Sequence, residues 1–259
     1  MNLTLSAILI AVPFAAAGQT TESGQTPPAV AQPPAPGDRP VSFRRLPSNL
    51  LSDQRRIWSF PVTLAHGQGW LPTVAVLGTT AGLVALDPTE SAYFRRASAF
   101  QGFNGKFTSN ATLAGILATP VSLLAAGLIR KDPEMQHTAL LAGEALADAE
   151  IVASVLKEGT GRLRPSAIPL KGNFSDSWFE GQALFQGSFP SGHVIGAFSI
   201  ATVVSRRYGK QHRWVPYTAY GLAALVGFSR LSLSSHFLSD VFMGGALGYS
   251  IGRFGVLRQ

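Results

Sequence analysis

The chain has 259 residues, of which 46% are hydrophobic and only 14% are Asp, Glu, Lys or Arg, against about 25% charged in an average soluble domain. The absence of cysteine and the low charge exclude a disulfide-stapled scaffold and a charged, disordered chain, and the mean hydropathy of +0.20 lies between a soluble enzyme and a chain made of membrane spans. The excess of 21 basic over 14 acidic residues comes in small groups between apolar stretches: Arg39, Arg44, Arg45, Arg55 and Arg56, then Arg95, Arg96 and Lys106, then Arg206, Arg207, Lys210 and Arg213. That spacing suits the loops of a helical bundle and argues against nucleic acid as a partner.

Residues 3–17 form a short apolar run ending in Ala15-Ala16-Ala17, the pattern of an export signal with its cleavage site, although no basic residue precedes Arg39. Residues 18–40 are rich in Gln, Thr, Ser, Gly, Ala and Pro, cannot bury a core, and read as a disordered linker. The expected organisation is a signal peptide-like segment at 1–17, a Pro-rich and basic linker at 18–56, and a helical domain at 57–259.

From there the apolar runs read as six helices. The first spans about Leu71 to Leu86, with Asp87-Pro88 as its stop, and the second covers Ser109 to Ile129 without a charge. The third starts with Asp132 as N-cap and Pro133 at the first helical position, and runs to about Lys157. The remaining three cover about Gly192 to Tyr208, Val215 to Ser229, and His236 to Phe254. No period-2 stretch rivals them, so the fold class is all-α. The third helix carries two polar stripes, His137-Glu144-Asp148 and Glu150-Ser154-Lys157, which suit a buried or solvated polar face better than lipid; a His-carboxylate metal site is the sharper reading of the first stripe. The last helix carries Gly244, Gly248 and Gly252 at four-residue intervals, a pattern for close helix packing.

Three blocks in the second half carry chemistry: Lys157 to Arg164-Pro165, Pro190-Ser191-Gly192-His193, and Ser229-Arg230 followed by His236 and Asp240. Lys157, Arg164 and Arg230 are cations with only Glu158 as a neighbouring acid, and arginine forks match two phosphate oxygens at once. Ser191 and Gly192 stand at the start of an apolar helix, where free backbone N–H groups and the helix dipole favour an anion. Asp240 lies one helical turn beyond His236, a spacing at which a carboxylate can fix an imidazole tautomer and free the other nitrogen for attack. Each block alone is a weak signal; together, in this order, they describe an oxyanion site.

These residues, Lys-x6-Arg-Pro, Pro-Ser-Gly-His and Ser-Arg-x5-His-x3-Asp, resemble the signature of the type 2 phosphatidic acid phosphatase (PAP2) and haloperoxidase superfamily, and every defined position is present. The motifs cover residues 157–240, and the six-helix pattern extends the resemblance over about 57–254. The resemblance implies a six-helix PAP2-like bundle and a phosphatase that hydrolyses phosphomonoesters or diphosphates, lipid-linked ones in the membrane branch. It implies that Lys157, Arg164, Ser191, Gly192 and Arg230 hold the phosphate, that His236 attacks phosphorus to give a phosphohistidine, that His193 protonates the leaving oxygen, and that Asp240 orients His236. It implies no metal and no cofactor. Two further activities share the signature: a soluble exported acid phosphatase, and a vanadium-dependent haloperoxidase in which the same residues cradle vanadate. Glu150 and Ser154, outside the signature, share the helix face of Lys157 and read as support for it. The loop from Ser166 to Phe189, with Phe174, Trp178, Phe179 and Phe185, reads as a lid or acyl-chain contact.

The first two helices approach the roughly 20 apolar residues that a span needs. If all six helices span and Arg44 to Arg56 lie in the cytoplasm, the positive-inside rule puts the motifs outside, facing the periplasm. A cleaved signal would reverse that layout, so cleavage, six spans and an outward site cannot all hold. The expectation keeps the outward site and membrane association, ahead of a soluble periplasmic enzyme.

Overall fold

Asp132 and Pro133 open the longest helix as their chemistry requires: the Asp132 carboxylate accepts the Met135 N–H at 3.0 Å, and Pro133, which has no N–H to lose, takes the first turn. A computed structural model describes residues 39–169, 172–174, 176–180 and 184–257; the expected signal segment and residues 18–38 of the expected linker lie outside them. The described residues contain nine α-helices and no strand: α1 (Leu46–Trp58), α2 (Phe60–Ala65), α3 (Trp70–Arg96), α4 (Gln101–Lys106), α5 (Ser109–Ile129), α6 (Pro133–Thr160), α7 (Gly192–Tyr208), α8 (Trp214–Ser232) and α9 (Leu238–Ser250), the last running into a π-helical turn at Ile251–Val256.

Six of these, α3 and α5 to α9, are the expected helices. Where Asp87-Pro88 signals a stop, α3 continues to Arg96 with Pro88 inside it. A proline removes one helical hydrogen bond, and here Asp87 is held by tertiary partners on the other side of the turn.

The linker boundary at residue 56 is corrected by the structure: residues 39–58 belong to the fold. Arg39 pairs with Asp53 at 2.6 Å and with Glu144 of α6, Asn49 donates to Glu144 at 2.7 Å, Gln54 donates to Asp148 at 2.8 Å, and the His137 ring bonds the Arg39 carbonyl at 3.1 Å. The first polar stripe of α6 is thus covered by α1 and the segment before it. Composition did not reveal this, because α1 docks through a mixed face in which Leu46, Leu50 and Ile57 alternate with Asn49, Asp53 and Gln54.

Helix α7 sits centrally, packed by α5, α6, α8 and α9. Its close approach to α9 follows from the expected glycines. A Cβ at Gly244 would lie 3.0 Å from the Ser191 carbonyl, one at Gly248 would lie 2.8 Å from the Phe198 Cβ, and one at Gly252 would lie 2.8 Å from the Ser199 carbonyl. Any side chain there would push the helices apart, at a cost of about 1–3 kcal/mol by overpacking. Leu141, Ala145, Ile200, Val203 and Val226 fill the space between α6, α7 and α8.

The long helices alternate in direction. The C-terminal parts of α3, α6 and α8 therefore meet the N-terminal ends of α5, α7 and α9: Asp87 touches Ser239, Ser109 touches Arg230, and Ser191 touches Asp240. Gly127 meets Gln136, and Arg207 meets Thr138, at the opposite end. All three sequence blocks fall at the first of these ends.

Candidate active site

Lys157 lies in the last turn of α6, which closes at Gly161 in the left-handed region with φ 49°. The reversal sends Arg162, Leu163 and Arg164 back across the end of the bundle. A Cβ added at Gly192 would stand 3.2 Å from the Lys157 Nζ and 3.8 Å from Glu150 Oε2, so the missing side chain at Gly192 lets the ammonium sit against the first turn of α7. Glu150 thus stands beside Lys157, as its place on the helix face suggests. The first turn of α7 leaves the N–H groups of Gly192 and His193 without helical carbonyls. Ser191, its N-cap, is fully buried, and its Oγ has no hydrogen-bond partner. A buried hydroxyl without a partner, next to an ammonium and a helix N-terminus, is a cradle suited to an anion.

Arg164 donates from Nε to the Gln186 carbonyl at 3.1 Å and from Nη1 to the Ser235 carbonyl at 3.3 Å, and that Nη1 stands 3.4 Å from His236 Nε2. The His236 Nδ1 lies 2.7 Å from the Ser188 carbonyl and 3.6 Å from Asp240 Oδ2. A carbonyl only accepts, so Nδ1 carries the proton and Nε2 keeps its lone pair toward Arg164. The tautomer is fixed first by the Ser188 carbonyl, with Asp240 behind it. Asp240 in turn accepts from the Ser188 hydroxyl at 2.5 Å, the Phe237 N–H at 2.8 Å and Arg162 Nη1 at 2.6 Å.

Arg230 is fully buried at the end of α8 and binds the α4–α5 connection: Nη2 donates to the Phe107 carbonyl and Thr112 Oγ1, both at 3.0 Å, and Nη1 to Ser109 Oγ at 3.0 Å. The His193 Nε2 bonds the Ser109 carbonyl at 3.1 Å, so that nitrogen holds the proton and Nδ1 is left to exchange one. Burial and the nearby Arg230 charge push the His193 proton affinity down to about 4; burial and Arg164 do the same for His236, also to about 4, against the raising effect of Asp240. Burial first, then the Arg164 charge, lowers Lys157. Both histidines are therefore neutral at physiological pH, and the cations repel one another, which a bound anion relieves.

The structure places all eight expected residues, Lys157, Arg164, Ser191, Gly192, His193, Arg230, His236 and Asp240, at one end of the bundle. Sequence reasoning missed Arg162, Asp87 and Ser188. An acid inside an apolar helix is the signal that would have found Asp87, and a third cation inside the first block the one for Arg162. The aromatic loop divides: Phe174 is buried with Ile168 and Phe237, and Trp178 packs at a tilt against Phe189, whereas Phe179 and Phe185 are 78% and 58% exposed. The acid beside the first block, Glu158, accepts the Phe185 N–H, and the acid that faces Lys157 is Glu150. Among the described residues no group of His, Asp and Glu is arranged to hold a metal ion; the His137 stripe is occupied by α1.

Residues 138–258 match the sequence profile of the PAP2 superfamily, and they contain every block described above. This stretch is similar to the PAP2 superfamily. Among curated relatives, the lipid A 1-phosphatase of Rhizobium etli is 38% identical over 101 residues, 38% of this chain and 40% of its own length. The phosphatidylglycerophosphatase B of Bacillus subtilis is 35% identical over 105 residues, 38% of this chain and 46% of its own. A lipid A 1-phosphatase of Porphyromonas gingivalis is 38% identical over 68 residues, 26% of this chain and 15% of its own. The PAP2 match thus spans less than half the length of these relatives. A crystal structure of the transmembrane PAP2 type phosphatidylglycerolphosphate phosphatase from Bacillus subtilis aligns at 26% identity and a TM-score of 0.46, over 69% of this chain and 91% of that one.

Proposed function

We propose that the chain is a metal-independent phosphatase acting on lipid-linked phosphomonoesters or diphosphates through a phosphohistidine. The observation that carries this reading is a His236 Nε2 that keeps its lone pair 3.4 Å from Arg164, at the bundle end that also holds Lys157 against Gly192 and the unpartnered Ser191 hydroxyl. Phosphate oxygens are held by Lys157, Arg164, Arg230, Ser191 Oγ and the Gly192 N–H. His236 Nε2 attacks phosphorus in line, the P–O bond to the leaving group breaks, and His193 Nδ1 passes to that oxygen the proton that the phosphate monoanion brings. A water then attacks the phosphohistidine, loses its proton to His193, and frees His236. Three cations supply the charge that a metal supplies elsewhere.

A lipid substrate is supported by what borders the site. Phe107 and Thr112, both partners of Arg230, open onto an apolar cleft between α5, α7 and α8, walled by Ile116, Leu123, Leu222 and Val226 and floored by Ala197 and Ala201. From Thr112 to Leu123 it runs roughly 17 Å at about 1.5 Å per helical residue, a length suited to an acyl chain. Helices α3 and α5 are long and apolar enough to cross a bilayer, and only 11% and 22% of their most apolar stretches are buried. Leu71, Val74, Leu77, Leu117 and Val121 are exposed on them, an apolar surface that lipid covers at no cost. Arg130, Lys131, Arg206, Arg207, Lys210 and Arg213 lie at the end opposite the site, so the positive-inside rule turns the site toward the periplasm.

The test is hydrolysis by the detergent-solubilised full chain of one phosphorylated headgroup carried on long and short acyl chains, in EDTA. Release of phosphate in EDTA is expected; loss of activity that added metal restores overturns the metal-independent reading. Ala197→Phe, which narrows the cleft floor, is expected to lower kcat/KM about tenfold for the long-chain lipid while sparing the short one. Equal effects on both would sink the acyl-chain assignment.

The pH profile follows from the two neutral histidines. Below about pH 4 His236 gains a proton and activity falls. Above that, the free site holds no proton for the leaving group, so the substrate brings it as the phosphate monoanion, whose own pKa is about 6. The profile of kcat/KM is therefore expected to plateau between about pH 5 and 6 and to fall on the alkaline side at a pH that tracks the substrate's second pKa. An alkaline limb that stays put across substrates of different pKa would assign the proton to the protein instead.

A further inference from the structure

Arg162 lies outside the defined positions of the first block, yet it is the most connected side chain near the site. It is 1% exposed, and its guanidinium carbon stands 4.1 Å from the Trp178 ring centre and 4.0 Å from that of Phe237, one on each face. Its Nη2 pairs with Asp87 of α3 at 2.7 Å, its Nη1 with Asp240 Oδ1 at 2.6 Å and Ser239 Oγ at 2.7 Å, and its Nε with Ser177 Oγ at 3.2 Å. Asp87 also accepts the Ser239 N–H at 3.1 Å and the Ser239 hydroxyl at 2.5 Å, locking the first turn of α9 to α3. The other oxygen of Asp240 holds the Ser188 hydroxyl, and the Ser188 carbonyl receives the His236 Nδ1–H. A continuous chain of hydrogen bonds therefore runs from α3 to the nitrogen opposite the attacking one.

We propose that Arg162 and Asp87 are positioning residues for His236, acting through Asp240 and Ser188. Two aspartates around one guanidinium leave a single net negative charge behind the imidazole, which offsets the positive charge that the ring acquires as Nε2 bonds phosphorus. Two aromatic rings pack against the guanidinium and four of its five N–H groups are engaged by the protein, so it is fixed in place behind Asp240. The other ionisable groups that act on His236 and Asp240 are Lys157 on α6, Arg164, His193 on α7 and Glu90 on α3. The inference rests on the phosphohistidine reading of the site.

The two residues carry opposite charge, and their removal moves the acid limb of the pH profile in opposite directions. In Arg162→Met the loss of a cation raises the proton affinity of Asp240 and His236, so the limb shifts to higher pH. In Asp87→Asn the loss of an anion lowers it, and the limb shifts to lower pH. We expect kcat per folded molecule to fall about 100-fold in Arg162→Met and about tenfold in Asp87→Asn, with KM within threefold in both. Folded protein is counted by circular dichroism and gel filtration of the full chain in detergent. A limb that stays at its wild-type pH in Asp87→Asn, or that moves the same way in both variants, overturns the proposal, and Asp87→Asn decides alone if Arg162→Met does not fold. Wild-type chain assayed in parallel separates the two levels: its failure to release phosphate overturns the reading of the site, whereas wild-type activity with insensitive variants overturns only the role of Arg162 and Asp87.

Discussion

His236→Gln is expected to abolish turnover while leaving the fold intact. The glutamine amide can still donate to the Ser188 carbonyl, which His236 Nδ1 contacts at 2.7 Å, but it has no basic nitrogen to present to phosphorus. Removing a nucleophile from a preorganised site costs on the order of 10⁴- to 10⁶-fold in kcat, and the residual rate comes from the cations that still bind and polarise the phosphate. Rapid quench of the wild-type chain with radiolabelled substrate should trap an acid-labile, alkali-stable phosphoprotein, as a phosphoramidate bond requires, and the variant should trap none. Turnover within tenfold of wild type, or an acid-stable adduct, would assign the attack to another residue. Unlike Ala, Gln fills most of the buried ring volume, so loss of fold does not account for the loss of rate.

Arg230→Lys is expected to be the next most damaging change, although it keeps the charge. Arg230 spends donors on Phe107, Ser109 and Thr112, so one fork organises the start of α5, the carbonyl that holds His193 included. A lysine ammonium has three donors and no fork, and it cannot hold these partners and a phosphate oxygen together. Loss of one such donor set costs about 10²- to 10³-fold in kcat/KM, and inhibition by inorganic phosphate should weaken in the same variant. Unchanged phosphate inhibition per folded molecule would restrict Arg230 to a structural role.

Much of the architecture was legible in the sequence, for reasons that can be named. Helix α5 is an uncharged run with a polar residue at its start and basic residues beyond its end, and α7 begins at a glycine after Pro-Ser and ends at a cluster of Arg and Tyr; both match their expected limits. The helices α2 and α4 were not legible, because six-residue turns give no apolar stripe; the stripe of α1, Leu46, Leu50 and Ile57, is short and interleaved with polar residues whose partners, such as Glu144 for Asn49, lie about a hundred positions away. The same limit applies at the site. Lys157, Arg164, Ser191, Gly192, His193, Arg230, His236 and Asp240 announce themselves by spacing within three short blocks. Asp87, Arg162 and Ser188 act through partners fixed only once α3, α9 and the two loops have come together, and Ser188 contributes mainly a backbone oxygen, which any residue type carries.

The covering of α6 by residues 39–58 sets where the chain can be cut. Asp53, Glu144 and Asp148 are all fully or almost fully buried, and the cation among them, Arg39, is at the first described position. A fragment trimmed to Ile57, the boundary that composition suggests, would strip Glu144 and Asp148 of Arg39, Asn49 and Gln54 together with the cover over that face of α6. The smallest self-sufficient unit of this protein therefore starts upstream of its first spanning-length helix, with an arginine that takes no part in binding phosphate.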